Sequence, residues 1–334
     1  YNKDSWPLDP AGMPIAQVHG LEGDVWTVGE FSNILHHVTA DGQVEALGVP
    51  LHYANPESKP FYRAGKRTDR PHSEKIIRDS LGRLWFPQNG DWANWGNPPE
   101  DGAYSRLVSY DPASESFCVF PVPDSGANVM GVAWDEASGN IWFIQSGNGA
   151  LVYFDPEEFA DCETAGGDSF NDYVWEIDPN TGAVLQPMPT RYCSSLNDTK
   201  CFHRITLPNT TGVSLTANQL VVQQPGRPDA GAVWMTLFFN GQIARYDPGN
   251  GEFQRFPVHK GRTVTDSMFS WFLRTHQILI HPEDGDLLLS ANGSGQLIRF
   301  DLQAYLQRGD DGLCEQLTSS GRNPCMTAFE IPDV

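Results

Sequence analysis

The stretch Arg70-Pro-His-Ser-Glu-Lys-Ile-Ile-Arg-Asp-Ser-Leu-Gly-Arg-Leu-Trp-Phe-Pro-Gln-Asn89 reads as two short strands joined by a tight turn. We place the first strand at Ser73–Arg78, the turn at Asp79–Gly82 and the second strand at Arg83–Phe86. Glycine supplies the positive φ that such a turn often needs, and aspartate favours its start. The stretch therefore predicts a β-hairpin that ends on the polar pair Gln88-Asn89.

The same hairpin recurs along the chain. A Gly-x-apolar-Trp step, or a close variant, begins at five glycines: Gly23, Gly82, Gly139, Gly231 and Gly285. A third strand follows and often ends in Asp-Pro, as in Ile243-Ala-Arg-Tyr-Asp-Pro248, and a fourth ends near Pro, as in Phe253-Gln-Arg-Phe-Pro257. Four short antiparallel strands per unit are typical of a propeller blade.

The predicted fold is therefore an all-β propeller of four-stranded antiparallel blades, with residues 1–334 as one propeller domain. Five units are clear. The long gap before Gly231 contains Val174-Trp-Glu-Ile-Asp-Pro179, a further third-strand match, so we expect five to seven blades. An ordinary β-sandwich is the alternative, but it would leave the repetition of the whole unit unexplained.

The cysteines and the glycosylation acceptor sequences indicate a secreted protein. Cys193/Cys201 and Cys314/Cys325 are short-range pairs, which leaves Cys118 and Cys162. Asn197, Asn209 and Asn292 begin glycosylation acceptor sequences. An even cysteine count with such sequences favours an oxidising, extracellular setting, and the alternative is six buried thiols in a cytosolic protein.

The formal charge of −20 argues against a nucleic-acid partner and disfavours anionic membrane surfaces. No apolar run approaches the length of a membrane-spanning helix, and no secretory leader is visible. Because the sequence begins at Tyr1 rather than at Met, we expect that an N-terminal segment has been removed. We further expect a monomer.

The repeated motif is similar to that of the virginiamycin B lyase-like propellers. The matching residues are Pro71–Phe86, Gly139–Pro156 and Gly231–Pro257. The resemblance implies a propeller whose relatives include lyases that open a cyclic ester by elimination, and propeller polysaccharide lyases acting on uronic acids share the architecture. Those families usually have seven blades, whereas five units are clear here.

Propellers bind ligands at one mouth of a central channel. The first residues of the innermost strand of each blade and the loops between its second and third strands meet there. The residues at these positions form a ring rich in amides: Glu30, His72, Gln88, Asn89, Asn128, Gln145, Asn148, Asn218, Asn240, His276 and Asn292. Calcium and magnesium sites usually need two or more carboxylates, and only Glu30 is well placed. We therefore predict no catalytic metal and no cofactor. A structural cation in the channel is an alternative that the sequence leaves open.

A basic patch precedes and follows His72. It contains Arg63, Lys66, Arg67, Arg70, Lys75 and Arg78. On an acidic protein such a patch suits a carboxylate substrate, because nearby positive charge raises the local substrate concentration. The alternative is a solvated loop that forms salt bridges with acidic neighbours.

His52, His72 and Tyr53 are the predicted catalytic residues. A neutral imidazole can remove the proton α to a carboxylate, and the developing enolate needs a neutralising group. Propeller uronate lyases use two histidines with a tyrosine and an arginine, and His52 and His72 resemble that pair in spacing. The family's tyrosine and arginine have no match, and a packed, hydrogen-bonded ring is the alternative for each histidine.

The predicted substrate-binding residues surround this pair. They are Arg67, Arg70, Gln88, Asn89, Trp92, Trp95, Asn128, Gln145 and His276. Trp92 and Trp95 lie in an insertion and could stack on sugar faces. The predicted function is a secreted lyase that cleaves a 4-linked uronic-acid glycoside in an acidic oligo- or polysaccharide. A sugar-binding propeller without activity, a lactonase and a glycosidase are the alternatives.

Overall fold

Five four-stranded antiparallel sheets make up the described part of the chain. The computed structural model describes residues 13–30, 34–49, 73–88, 105–123, 127–158, 191–198, 200–208, 217–238, 241–258, 274–292, 296–308, 312–319 and 321–330. In every sheet the strands lie side by side in the order of the chain. These sheets are the blades of a β-propeller, which confirms the predicted fold class.

The strands of each blade follow one another without a crossover. Blade 1 contains β1 (Met13–His19), β2 (Val25–Glu30), β3 (Ile34–Val38) and β4 (Val44–Gly48). Blade 2 contains β5 (Ile77–Arg78), β6 (Leu84–Gln88), β7 (Arg106–Asp111) and β8 (Ser116–Pro121). Blade 3 contains β9 (Val129–Trp134), β10 (Ile141–Gln145), β11 (Ala150–Phe154) and β12 (His203–Thr206). Blade 4 contains β13 (Ala217–Val222), β14 (Val233–Leu237), β15 (Gln242–Asp247) and β16 (Glu252–Pro257). Blade 5 contains β17 (Arg274–Ile280), β18 (Leu287–Asn292), β19 (Gln296–Phe300), the helix α1 (Leu302–Arg308) and β20 (Met326–Glu330).

The chain divides into two compact units. The first comprises Tyr1–Trp134 with Asn140–Ile205 and contains the sheets of blades 1 to 3. The second comprises Asp135–Gly139 with Thr206–Val334 and contains blades 4 and 5. The single domain expected from the sequence stays a prediction.

The hairpin of blade 2 is shorter on its first side than the sequence predicts. Only Ile77 and Arg78 pair with β6, opposite Trp85 and Leu84, and Ser73–Ile76 precede the ladder. The turn itself is as predicted, with Gly82 at a φ of 88°. A hydroxyl bond from Ser73 Oγ to the Pro87 carbonyl oxygen, 2.5 Å long, holds the segment before β5 beside the end of β6.

A buried aspartate organises this turn. One carboxylate oxygen of Asp79 accepts from the backbone N–H groups of Leu81 and Arg83, both at 3.0 Å. The other accepts from Arg83 Nε at 2.7 Å and from the indole N–H of Trp85 at 2.9 Å. These bonds hold the turn, Arg83 and Trp85 of β6 together as one unit.

Related arrangements occur at the same end of other blades. In blade 4, Asp229 accepts from Trp234 Nε1 at 2.9 Å and from Arg245 Nε at 2.8 Å. In blade 1, Asp24 accepts from Trp26 Nε1 and from the His37 ring, each at 2.8 Å. In blades 1, 2 and 4 the bond between the aspartate and the tryptophan therefore stabilises the end where the first two strands turn.

The hydrophobic cores lie between neighbouring blades of the same unit. Trp26 and Val28 of blade 1 pack with Leu84 and Phe86 of blade 2. Trp85 of blade 2 packs across the next interface, with its ring centroid 5.9 Å from that of Phe154. Trp234 of blade 4 lies 5.3 Å from Phe300 of blade 5. Successive residues of β6 therefore face opposite neighbouring blades, as the period of a β-strand requires.

The disulfide predictions are confirmed for two pairs. Cys193 is bonded to Cys201, and Cys314 to Cys325. Cys118 is also disulfide-bonded, Cys162 lies outside the described residues, and none of the described cysteines is a free thiol. The alternative of six buried thiols is therefore wrong.

Of the glycosylation asparagines, Asn197 is exposed, Asn209 lies outside the described residues, and Asn292 is described in its backbone alone. Within the described ranges, no helix has the length and apolarity needed to cross a bilayer.

Candidate functional site

Three predicted binding amides lie at one end of blades 2 and 3, opposite the Asp79 turn. Gln88 ends β6, Gln145 ends β10 and Asn128 comes directly before β9. Their exposed fractions are 1%, 0% and 3%, so the amides lie in the interior rather than on an open rim. The strands β6 and β9 contact each other, which places the two blades side by side here.

The structure brings Asn128 and Gln145 together. The backbone N–H of Ser146, the residue after Gln145, donates to the Asn128 carbonyl oxygen at 2.9 Å. Asn128 has a φ of 50°, in the left-handed region that non-glycine residues seldom adopt. Asparagine tolerates this region better than most residues. The backbone of Asn128 is therefore strained, and this strain occurs within a group of buried polar residues.

These amides carry atoms that need partners. Gln88 Oε1, Asn128 Nδ2 and Gln145 Oε1 are buried and have no hydrogen-bond partner among the described residues. A buried polar atom without a partner costs about 1–3 kcal/mol. The end of blades 2 and 3 thus offers one donor and two acceptors that a bound polar molecule would satisfy.

Arg106 is a site residue that sequence reasoning missed. It begins β7 directly opposite Gln88, and opposed residues of an antiparallel pair project to the same face. Its exposed fraction is 3%. A signal was available in the sequence, because Arg106 shares one face of its strand with the apolar residue Val108 and with Tyr110. An arginine at an inward-facing strand position indicates a function or a buried partner.

Tyr192 is the second residue that the sequence did not indicate. Gln145 Nε2 donates to its hydroxyl oxygen at 2.5 Å, and the Arg204 guanidinium lies 5.3 Å from its ring centroid. Tyr192 bridges to Phe202, and the Cys193–Cys201 disulfide closes the loop between them. The disulfide therefore helps to hold a tyrosine hydroxyl at the end of β10.

Lys75 is one of the two members of the predicted basic patch that the structure describes. It is half-buried between buried Glu74 and buried Ile76, two residues after Ser73. Burial lowers the pKa of its ammonium group to about 8. Among the described residues it makes neither a hydrogen bond nor an ion pair. Its amine can therefore exist in the neutral, basic form at mildly alkaline pH.

His276 belongs to the second compact unit. It lies half-buried on β17, with its ring centroid 5.3 Å from that of Phe238. Gln277 Nε2 lies 3.4 Å from its Nδ1, and the Thr236 hydroxyl donates to its carbonyl oxygen at 3.3 Å. Its role in substrate binding stays a prediction.

The other predicted site residues lie outside the described residues. They are His52, Tyr53, Arg67, Arg70, His72, Asn89, Trp92 and Trp95. His72 and Asn89 are the sequence neighbours of Ser73 and Gln88. Ser73 and Gln88 both lie at the end of blade 2 that carries the buried amides, which we call the amide end. Of the described residues, none forms a group of three or more histidines, cysteines, aspartates or glutamates that could hold a metal ion.

No protein-family model matches this chain, and no curated protein matches it by sequence. Among solved structures, a streptogramin B lyase is similar with a TM-score of 0.55 at 15% identity, covering 98% of this chain and 72% of that one.

A catalytically inactive histidine-to-alanine variant of virginiamycin B lyase from Staphylococcus aureus, with quinupristin, is also similar. It has a TM-score of 0.54 at 13% identity, and the alignment covers 98% of this chain and 73% of that one. The chain thus has the fold of the virginiamycin B lyase-like propellers, in agreement with its sequence motifs. At these identities the likeness shows the fold alone.

Proposed function

We propose that the protein is a secreted carbon–oxygen lyase that cleaves 4-linked uronic-acid glycosides by β-elimination. The observation that carries the proposal is the buried Arg106 opposite Gln88, at the end of the blades where Gln145 and Asn128 are also buried. The disulfides support an extracellular setting, because such bonds persist under oxidising conditions.

The first requirement of the reaction is a partner for the substrate carboxylate. Removal of the adjacent proton transfers negative charge to that group, so the transition state needs preorganised donors. Arg106 is a permanent cation with a planar array of N–H donors that fits a carboxylate. Asn128 Nδ2 is a further buried donor that has no partner among the described residues.

The second requirement is a base for the proton α to the carboxylate. Lys75, with a pKa of about 8, is the described candidate, and His72 and His52 are the candidates from the sequence. The base takes the proton from the α carbon. The electron pair of the broken carbon–hydrogen bond forms the new carbon–carbon double bond, and the bond from the β carbon to the leaving oxygen breaks. An acid then protonates the leaving oxygen. Tyr192 and Tyr53 are the tyrosines proposed for that step, and the reaction needs no oxidant or reductant.

The experiment follows the ultraviolet absorbance of the unsaturated uronate during incubation with alginate, pectate and glucuronan. We expect absorbance to rise with the wild type and kcat/KM to fall about 10²–10³-fold in Arg106→Gln. Arg308→Gln is the matched control, because Arg308 is an exposed arginine at the end of α1 and should leave the rate unchanged. Comparison of melting curves separates loss of fold from loss of chemistry.

The pH profile identifies the base. A rate that rises with a midpoint near 8 and disappears in Lys75→Met assigns the base to Lys75, whereas a midpoint near 6.5 and loss in His72→Gln or His52→Gln assigns it to a histidine. New reducing ends without the absorbance increase would overturn elimination in favour of hydrolysis. Binding of the polymers with neither signal would identify a non-catalytic sugar-binding propeller.

A further inference from the structure

A second concave site lies at the opposite end of the first compact unit. A cavity of about 410 Å³ opens between the turns of blades 1 and 2. Its rim carries Leu21 and Leu81, which are 78% and 65% exposed, and its floor includes the buried residues Trp26 and Leu84. A cavity of this size and apolar content is typical of small-molecule sites.

Arg78 supplies the positive charge of this cavity. It lines the space from β5 and is half-buried, and its Nη1 atom is buried without a hydrogen-bond partner. Its guanidinium forms neither an ion pair nor a hydrogen bond with the described residues. A buried guanidinium nitrogen without an acceptor is unfavourable, so a ligand that brings an anionic acceptor here would be stabilised.

The corresponding grooves between other blades are bridged by arginine. Between blades 2 and 3, Arg83 Nη2 forms an ion pair with Glu157 at 2.9 Å. Between blades 4 and 5, Arg227 donates to the carbonyl oxygens of Pro282 and Glu283 at 2.5 and 3.1 Å. The cavity between blades 1 and 2 differs because its arginine makes no such bridge with the described residues.

Two of the three carboxylates that line the cavity already accept hydrogen bonds, and the third, Glu22, is exposed to solvent. Asp24 accepts from Trp26 and His37, and also from the Glu22 N–H at 3.2 Å. Asp111 accepts from the Ala113 N–H at 2.9 Å and from the Ser114 hydroxyl at 2.7 Å. The buried charged atom in this wall that still has no partner among the described residues is therefore Arg78 Nη1.

From these observations we infer that the cavity binds a small carboxylate-bearing molecule with an apolar body. The carboxylate pairs with Arg78, which can form two parallel N–H···O bonds. The apolar body lies against Leu21, Leu81 and the edge of Trp26. The site is separate from the elimination site, because β6 begins beside this cavity at Leu84 and ends at Gln88.

Titration calorimetry with 4-phenylbutyrate tests the inference, with the neutral 4-phenylbutanamide as its isostere. We expect the wild type to bind the carboxylate and Arg78→Gln to bind it about 10- to 100-fold more weakly. Leu81→Ser should also weaken binding, and this exposed position should tolerate the change. Arg308→Gln is the control and should bind as the wild type does.

Equal affinity for the carboxylate and the amide would overturn the inference, and this comparison needs only the wild-type protein. Undiminished binding by a folded Arg78→Gln variant, or no binding of 4-phenylbutyrate by the wild type, would overturn it as well. Lyase activity enters none of these outcomes.

Discussion

The buried carboxylate at one end of blade 2 and the buried amide at its other end differ in their hydrogen bonding. At the turn end, the Asp79 carboxylate accepts four hydrogen bonds, and the one from Arg83 Nε is also an ion pair. At the other end, Gln88 Oε1 is buried without a hydrogen-bond partner among the described residues. Blade 3 shows the same lack of a partner at its end, in Gln145 Oε1 and Asn128 Nδ2.

The difference separates stability from function. A fully paired buried carboxylate stabilises the turn, and it leaves no bonding capacity for a ligand. An unpaired buried amide destabilises the free protein, and such groups persist where they serve a bound molecule. We therefore expect substitution of the Asp79 carboxylate to change mainly stability and substitution of the buried amides to change mainly activity.

The largest expected effect is on the turn. Asp79→Ala removes the acceptor of Arg83 and Trp85 and leaves buried donors without a partner, so we expect a loss of about 3–5 kcal/mol in the free energy of unfolding. Urea denaturation measures it, with the exposed Asp41→Ala as the control. A loss below about 1 kcal/mol would mean that the turn does not depend on its aspartate.

The next effect concerns the amide end. Gln145→Leu replaces a buried amide with an apolar group of similar size and removes an unpaired oxygen. We expect a change in stability within about 1.5 kcal/mol and a fall in kcat/KM of at least about tenfold. Tyr192→Phe should show the same pattern, because it removes the hydroxyl that Gln145 bonds. Full activity in both variants would contradict the expectation that the buried amides serve activity rather than stability.

A smaller effect, which depends on pH, is expected at Lys75. Because burial lowers its pKa to about 8 in the folded protein, charged Lys75 destabilises the fold at neutral pH. As the pH rises above 8, the folded protein releases this proton before the unfolded chain does. The loss of stability caused by the buried charge therefore decreases and disappears as the pH approaches the ordinary pKa of lysine. Lys75→Met should therefore raise stability at pH 7 and bring little gain near pH 10. A gain that does not vary with pH would contradict this assignment.

The smallest effect is expected at Asp24. Burial acts to raise the pKa of this carboxyl, but hydrogen bonds from Glu22, His37 and Trp26 outweigh it and lower the pKa. The resulting stability is present above pH 4 and is lost as pH falls through the folded-state pKa. Asp24→Asn should thus reduce stability more at pH 6 than at pH 2, which acid denaturation curves would show. Equal effects at both pH values would assign the role of Asp24 to packing.

Local sequence predicts much of the blade and little of the site. The Asp79–Gly82 turn, the step to Trp85 and the two short-range disulfides follow from residue types at close spacing. The positions of Gln88, Asn128 and Gln145 at strand ends follow from the repeat. Their burial does not, because it depends on neighbouring blades. Arg106 and Tyr192 were missed for a related reason, since one pairs across strands with Gln88 and the other contacts Gln145 from a distant segment.

The sequence by itself determined the four-stranded blade, its repetition and the polar residues at one end, because turn chemistry and strand alternation act between near neighbours. Only the tertiary structure decided which of these polar groups find partners. The bond between Gln145 and Tyr192, the alignment of Arg106 with Gln88 and the unbridged Arg78 all depend on residues far apart in the chain. Strand registers and blade packing bring such residues together or keep them apart, and no local pattern encodes the result.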